Sequence, residues 1–222
     1  SGSISLGEQP QLSPADRGES LFYDARLSLD GWFSCHSCHT DGHTNGLLND
    51  NFSDGHFGAP KRILSLLGVA DTGPWAWSGG VRELESQVRK SIEFTMLGAD
   101  VTDEQVADLT AFVQGFSTIP GDQASGEALE RGWTVFQKRR CATCHTPPTY
   151  TSTGTYDVGI ADEQGDKRFN PPSLLGVGRR GPYFHDNRAE NLREVFLKFE
   201  HPRQAAWDDG ELHDLLVFLR SL

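Results

Sequence analysis

All four cysteines of this chain stand in two matching settings, Cys35-His36-Ser37-Cys38-His39 and Cys141-Ala142-Thr143-Cys144-His145. Paired cysteines of this kind could build a disulfide framework or a single four-thiolate zinc site. The histidine that follows each pair at once argues against both and for C-x-x-C-H haem attachment. There, two thiols add to the vinyl groups of one haem and the next residue supplies an axial imidazole. The x-x spacing sets both sulfurs along one porphyrin edge, so an adjacent histidine turns under the iron. Two motifs using every cysteine predict two covalently attached haem c groups, with His39 and His145 as proximal ligands. Such attachment occurs outside the cytoplasm, so the expected location is periplasmic or extracellular.

The motifs lie 106 residues apart, and their surroundings repeat with them. Arg17-Gly18 and Phe22 recur as Arg131-Gly132 and Phe136. Ser65-Leu66-Leu67-Gly68-Val69 recurs as Ser173-Leu174-Leu175-Gly176-Val177, Gly73-Pro74-Trp75 as Gly181-Pro182-Tyr183, and Asp108-Leu109 as Asp214-Leu215. The repeat predicts a mainly α fold of two tandem cytochrome c-like domains, 1–120 and 121–222, each wrapping one haem. Ile119-Pro120-Gly121-Asp122 reads as the linker. Helices are expected around 13–23, 81–96, 124–139 and 191–199. Another opens at the capping box Thr102-Asp103-Glu104-Gln105 and presents Val106, Leu109, Val113 and Phe116 on one face. Leu212, Leu215, Leu216 and Leu219 repeat that stripe.

The 222 residues carry a formal charge of -11. That balance disfavours nucleic acid and suits a basic redox partner protein acting as electron donor, or serves solubility alone. No run approaches the roughly 18 to 20 apolar residues of a membrane span. The start, Ser1-Gly2-Ser3, reads as a processed end from which an export signal has been removed.

"CATCHTPPTYTSTGTYDVG", "SLLGVGRRGPYFHDNRAENLREVF" and Phe22-Tyr23-Asp24-Ala25-Arg26-Leu27-Ser28 together resemble the bacterial di-haem cytochrome c peroxidase superfamily, which includes the MauG-type enzymes. The resemblance covers nearly the whole chain. It implies a peroxidatic haem in the first domain, an electron-transfer haem in the second, and hydrogen peroxide as substrate. It also implies a tryptophan between the haems, matched by Trp77, and a pocket glutamine ten residues on, matched by Gln87. The family's acid–base glutamate falls near 95–97, where Glu93 is the nearest carboxylate. A calcium ion between the domains is implied too, although Ile63 stands where an asparagine would follow Lys61-Arg62.

The sixth ligands stay open. For the first haem the candidates are His56, which lies near a histidine that leaves the iron in such peroxidases, and Met96, the only methionine of the chain. His43 sits too close to His39 to cross the ring. For the second haem Phe199 occupies the usual methionine position, which favours His201 over Tyr183 and His185; His213 reads as a surface residue. Arg62, Arg179 and Arg180 are expected to partner haem propionates. The competing reading is a non-catalytic electron-transfer module, possible also as a domain of a larger redox protein.

Overall fold

The computed structural model describes residues 10–123, 126–203 and 206–222, with Ile4 and Gly7; Ser1-Gly2-Ser3 lie outside the described residues. The chain is helix-rich with little sheet. Helix α1 (Pro14–Phe22) is capped by Ser13 and Asp16 in a reciprocal box, and the predicted Thr102–Gln105 box opens α4 (Asp103–Gln114). Between them lie the one-turn α2 (Cys35–Cys38) and α3 (Leu84–Lys90), which runs into a π-helical turn at Ser91–Thr95. The second half follows with α5 (Glu127–Lys138), α6 (Leu192–Leu197) and α7 (Asp209–Ser221). Two antiparallel two-residue ribbons pair β1 (Leu48–Asn49) with β2 (Lys61–Arg62), and β3 (Tyr156–Asp157) with β4 (Arg168–Phe169).

The helix expected from 81 begins later. Val81 is tied into a loop because its carbonyl accepts the Trp75 N–H at 2.8 Å, so helical hydrogen bonding starts only at Leu84.

The repeated dipeptides are the two sides of one helix crossing. A side chain at Gly18 would put its Cβ 2.0 Å from the Asp108 carbonyl oxygen, and one at Gly132 would lie 2.1 Å from that of Asp214. Only glycine lets α1 approach α4, or α5 approach α7, this closely. Beside each glycine an arginine forks onto the same aspartate. Arg17 donates to both Asp108 oxygens at 2.7 Å, and Arg131 to those of Asp214 at 2.7 and 3.1 Å. Around these crossings sit two buried clusters. Phe22, Leu84, Ile92, Met96 and Leu109 belong to one, and Phe136, Leu192, Phe196, Leu212 and Leu215 to the other.

Candidate haem site

A continuous cavity of about 680 Å³ reaches both cysteine motifs, with Cys35, Cys38, His39, Cys141, Cys144 and His145 on its wall. The four cysteines are free thiols, and burial pushes Cys35 and Cys141 up to about 11. They are therefore protonated at neutral pH and unlike a reactive dithiol. In each motif histidine, Nδ1–H faces a backbone carbonyl: His43 at 3.4 Å from His39 and Tyr150 at 3.1 Å from His145. Such a bond orients the ring and leaves Nε2 with the lone pair that a metal needs. Burial pushes both rings down to about 4, so they are neutral at pH 7.

The two halves carry one backbone turn with different side chains. In the first half the Met96 N–H bonds to the Ser91 carbonyl and the Gly98 N–H to that of Ile92, both at 2.9 Å, with Leu97 left-handed at φ 52° between them. In the second, the Phe199 N–H bonds to Glu194 at 3.1 Å and the His201 N–H to Val195 at 3.0 Å, with Glu200 at φ 51° between them. Met96 thus matches Phe199, and Gly98 matches His201. The His201 ring lies 6.5 Å from that of His145, at 71°. Two imidazoles sharing one metal through nitrogens about 2 Å away have ring centres roughly 6.3 Å apart. Burial, with His145 nearby, pushes His201 down to about 4. Met96 is buried and lines the cavity.

The halves meet at an aromatic cluster. The Trp77 indole donates to the Arg62 carbonyl at 2.8 Å and lies edge-on to Phe169 and His185. Phe169 stacks on His185 at 4.5 Å. His185 is fully buried with neither ring nitrogen hydrogen-bonded. Two arginines cross between the halves here. Arg62 donates to the Arg180 carbonyl, and Arg180 to the Leu67 carbonyl at 2.6 Å. Both line the cavity with Nε unpartnered, and burial pushes Arg180 down to about 10. A buried and a half-buried guanidinium side by side call for an anionic group beside them.

Other expected residues lie elsewhere. Arg179 turns outward to Asp122 at 3.1 Å and does not line the cavity; its neighbour Arg180 takes that place. His56 does not line it either, because its Nε2 pairs with Asp166 at 3.3 Å in the second half. His43 bonds Ser65 at 2.7 Å, Tyr183 donates its hydroxyl to Val177 at 2.8 Å, and His213 is exposed. Gln87 lines the cavity, held by its Nε2 on Ser91 at 3.1 Å with Oε1 unpartnered. Glu93 pairs with Arg89 at 3.6 Å, away from the cavity. Lys61 lies between Asp162 at 2.8 Å and Asp54 at 3.1 Å. Asp54 escaped the sequence reading, and it is the one carboxylate among the described residues lining the cavity.

Paired thiols, neutral imidazoles facing inward and buried arginines without an anion all fit covalent haem with its propionates. A family model described as di-haem cytochrome c peroxidase matches residues 14–138. The methylamine utilization protein MauG of Methylorubrum extorquens is 25% identical, aligned over 92% of this chain and 76% of its own length. Cytochrome c551 peroxidase of Nitrosomonas europaea is 22% identical over 94% of this chain and 79% of its own. In fold, the chain is similar to one from hydrazine synthase of Kuenenia stuttgartiensis, with a TM-score of 0.81 at 20% identity, covering 100% of this chain and 98% of that one. Among the described residues no helix is long and apolar enough to cross a membrane. With more than half of its length matched by the family model, the chain belongs to the di-haem cytochrome c peroxidase family, oxidoreductases built around covalently bound haem c.

Proposed function

We propose that this protein is a periplasmic or extracellular peroxidase with two haems, held in domains 1–120 and 121–222. Electrons enter at the second site from a basic donor protein, and hydrogen peroxide is reduced at the first. Bound at these sites, the two haems would supply one-electron redox chemistry at two centres, matching a reaction that consumes two electrons. Cys35, Cys38 and His39 would hold the first group, Cys141, Cys144 and His145 the second, and Arg62 and Arg180 would donate to propionate oxygens.

The observation that carries this reading is the unequal distal turn. His201 stands at ligand spacing from His145, so the second site is closed by a strong imidazole. Its first-half counterpart is Gly98, which has no side chain to offer, and of the first-half histidines only His39 lines the cavity. Met96 is left there as a weak, displaceable thioether. Gln87 borders the same space and orients a small polar ligand. Trp77, packed between the halves against Phe169 and His185, shortens the path between the two centres.

Stepwise reduction followed by absorption spectroscopy tests the proposal. One haem of the half-reduced protein is expected to be high-spin and open, and added peroxide is expected to be consumed. Two low-spin haems and untouched peroxide would instead mark an electron-transfer module, with Met96 bound firmly at the first site.

A further inference from the structure

Reducing peroxide needs protons moved at the O–O bond, and the segment expected to carry a glutamate has none in the cavity. Thr95 and Met96 line the wall, while Glu93 points away to Arg89. The cavity nevertheless has its carboxylate. The turn Phe52–Asp54 packs against the π-helical turn Ser91–Thr95, whose Ser91 and Thr95 line the cavity as Gln87 does.

We propose that Asp54 is the proton-transfer residue of the first haem site, supplied by a separate loop in place of a glutamate on the helix. This rests on the peroxidase reading above. Its surroundings suit the task. The side chain is 17% exposed, so water reaches it, and Lys61 lies 3.1 Å away as its counter-charge. Lys61 is itself anchored at 2.8 Å by Asp162, whose side chain is fully buried. Burial works against the Lys61 ammonium, but Asp162 and Asp54 together hold its pKa above the usual lysine value. The ammonium therefore stays charged and holds the loop against Asp162. Arg62 borders the same cavity from the adjoining residue and is engaged with the Arg180 and Gly181 carbonyls.

The step balances as follows. Asp54 takes the proton from one oxygen of hydrogen peroxide and returns it to the other as the O–O bond breaks, releasing one water. The remaining oxygen becomes the second water with two protons from solvent and two electrons from a one-electron donor protein.

The test compares a ligand that sheds a proton with one that does not. Asp54→Asn in the full holoprotein is expected to lower peroxide turnover on the order of a hundredfold and to slow hydrogen cyanide binding in parallel. Carbon monoxide binding to the ferrous first haem is expected to be unchanged, and Asp54→Glu to recover most of the turnover. Undiminished turnover in Asp54→Asn overturns the inference alone. So does an equal loss of carbon monoxide binding, since that marks a structural role. A wild-type protein that neither binds carbon monoxide nor consumes peroxide brings down the peroxidase reading itself, and the proton-transfer role with it.

Discussion

Met96, Leu97 and Gly98 follow the same backbone path as Phe199, Glu200 and His201, yet one turn ends on glycine and the other on an imidazole facing His145. The reason lies far from either turn in sequence. Twelve residues separate Phe22 from Cys35, where four separate Phe136 from Cys141. The longer connection brings Leu27–Leu29 onto the first turn. The Leu29 N–H bonds to the Met96 carbonyl at 2.9 Å, and a Cβ at residue 98 would lie 2.1 Å from the Leu27 carbonyl oxygen. Backbone thus occupies the space that a side chain at 98 would need. A difference in connection length becomes a difference in side chain: the inserted segment requires glycine at 98, where the second half carries His201.

The most severe way to break this comparison is to give the second half the first half's residue. His201→Gly is expected to turn the second haem from low-spin to high-spin and to let it bind added cyanide. Added imidazole is expected to enter the vacated space and restore the low-spin spectrum. A second haem that stays low-spin in His201→Gly without imidazole would show that another group, Tyr183 or His185, ligates it.

Much of this architecture was legible in the sequence because haem attachment is local chemistry. Two thiols and a histidine in five residues need no tertiary context. The repeated Arg-Gly and Asp-Leu pairs announced a duplicated unit, although their purpose, a close helix crossing, appears only when Gly18 meets Asp108 in space. Distal groups were harder to read, since they come from loops whose side-chain directions follow no period. Ser53-Asp54-Gly55-His56 shows this well. The histidine drew attention as a metal ligand, but it reaches across to Asp166, and the aspartate two residues earlier faces the cavity. Arg179 and Arg180 likewise differ by one step in a tight turn, which sends one to solvent and the other inward.

A smaller effect tests whether the two crossings are equivalent. Gly18→Ala and Gly132→Ala each force a methyl group against a backbone carbonyl, at 2.0 and 2.1 Å. Neither helix can yield without repacking Phe112 or Phe218, whose Cβ atoms lie 2.8 and 2.7 Å from the added group. Each is expected to cost about 3 kcal/mol in denaturant unfolding. A loss confined to one variant would show that only that crossing is tight in solution.

The smallest expected effect concerns the ion pair beside the second crossing. The hydrogen bonds from Arg131 hold the Asp214 carboxyl below its ordinary value of 3.8. A group whose folded-state pKa is depressed contributes stability above its unfolded value, and that contribution disappears as pH falls through the folded value. Wild-type protein should therefore lose stability below about pH 4 by an increment that Asp214→Asn lacks, measurable as converging urea midpoints. The Arg131 side chain is 55% exposed, so solvent and salt screen the pair. Added salt should shrink the difference between wild type and variant at neutral pH while leaving the Gly132→Ala penalty intact. That contrast separates the two parts of the crossing: close contact supplies its strength, and the arginine fork adds a modest, pH-dependent share.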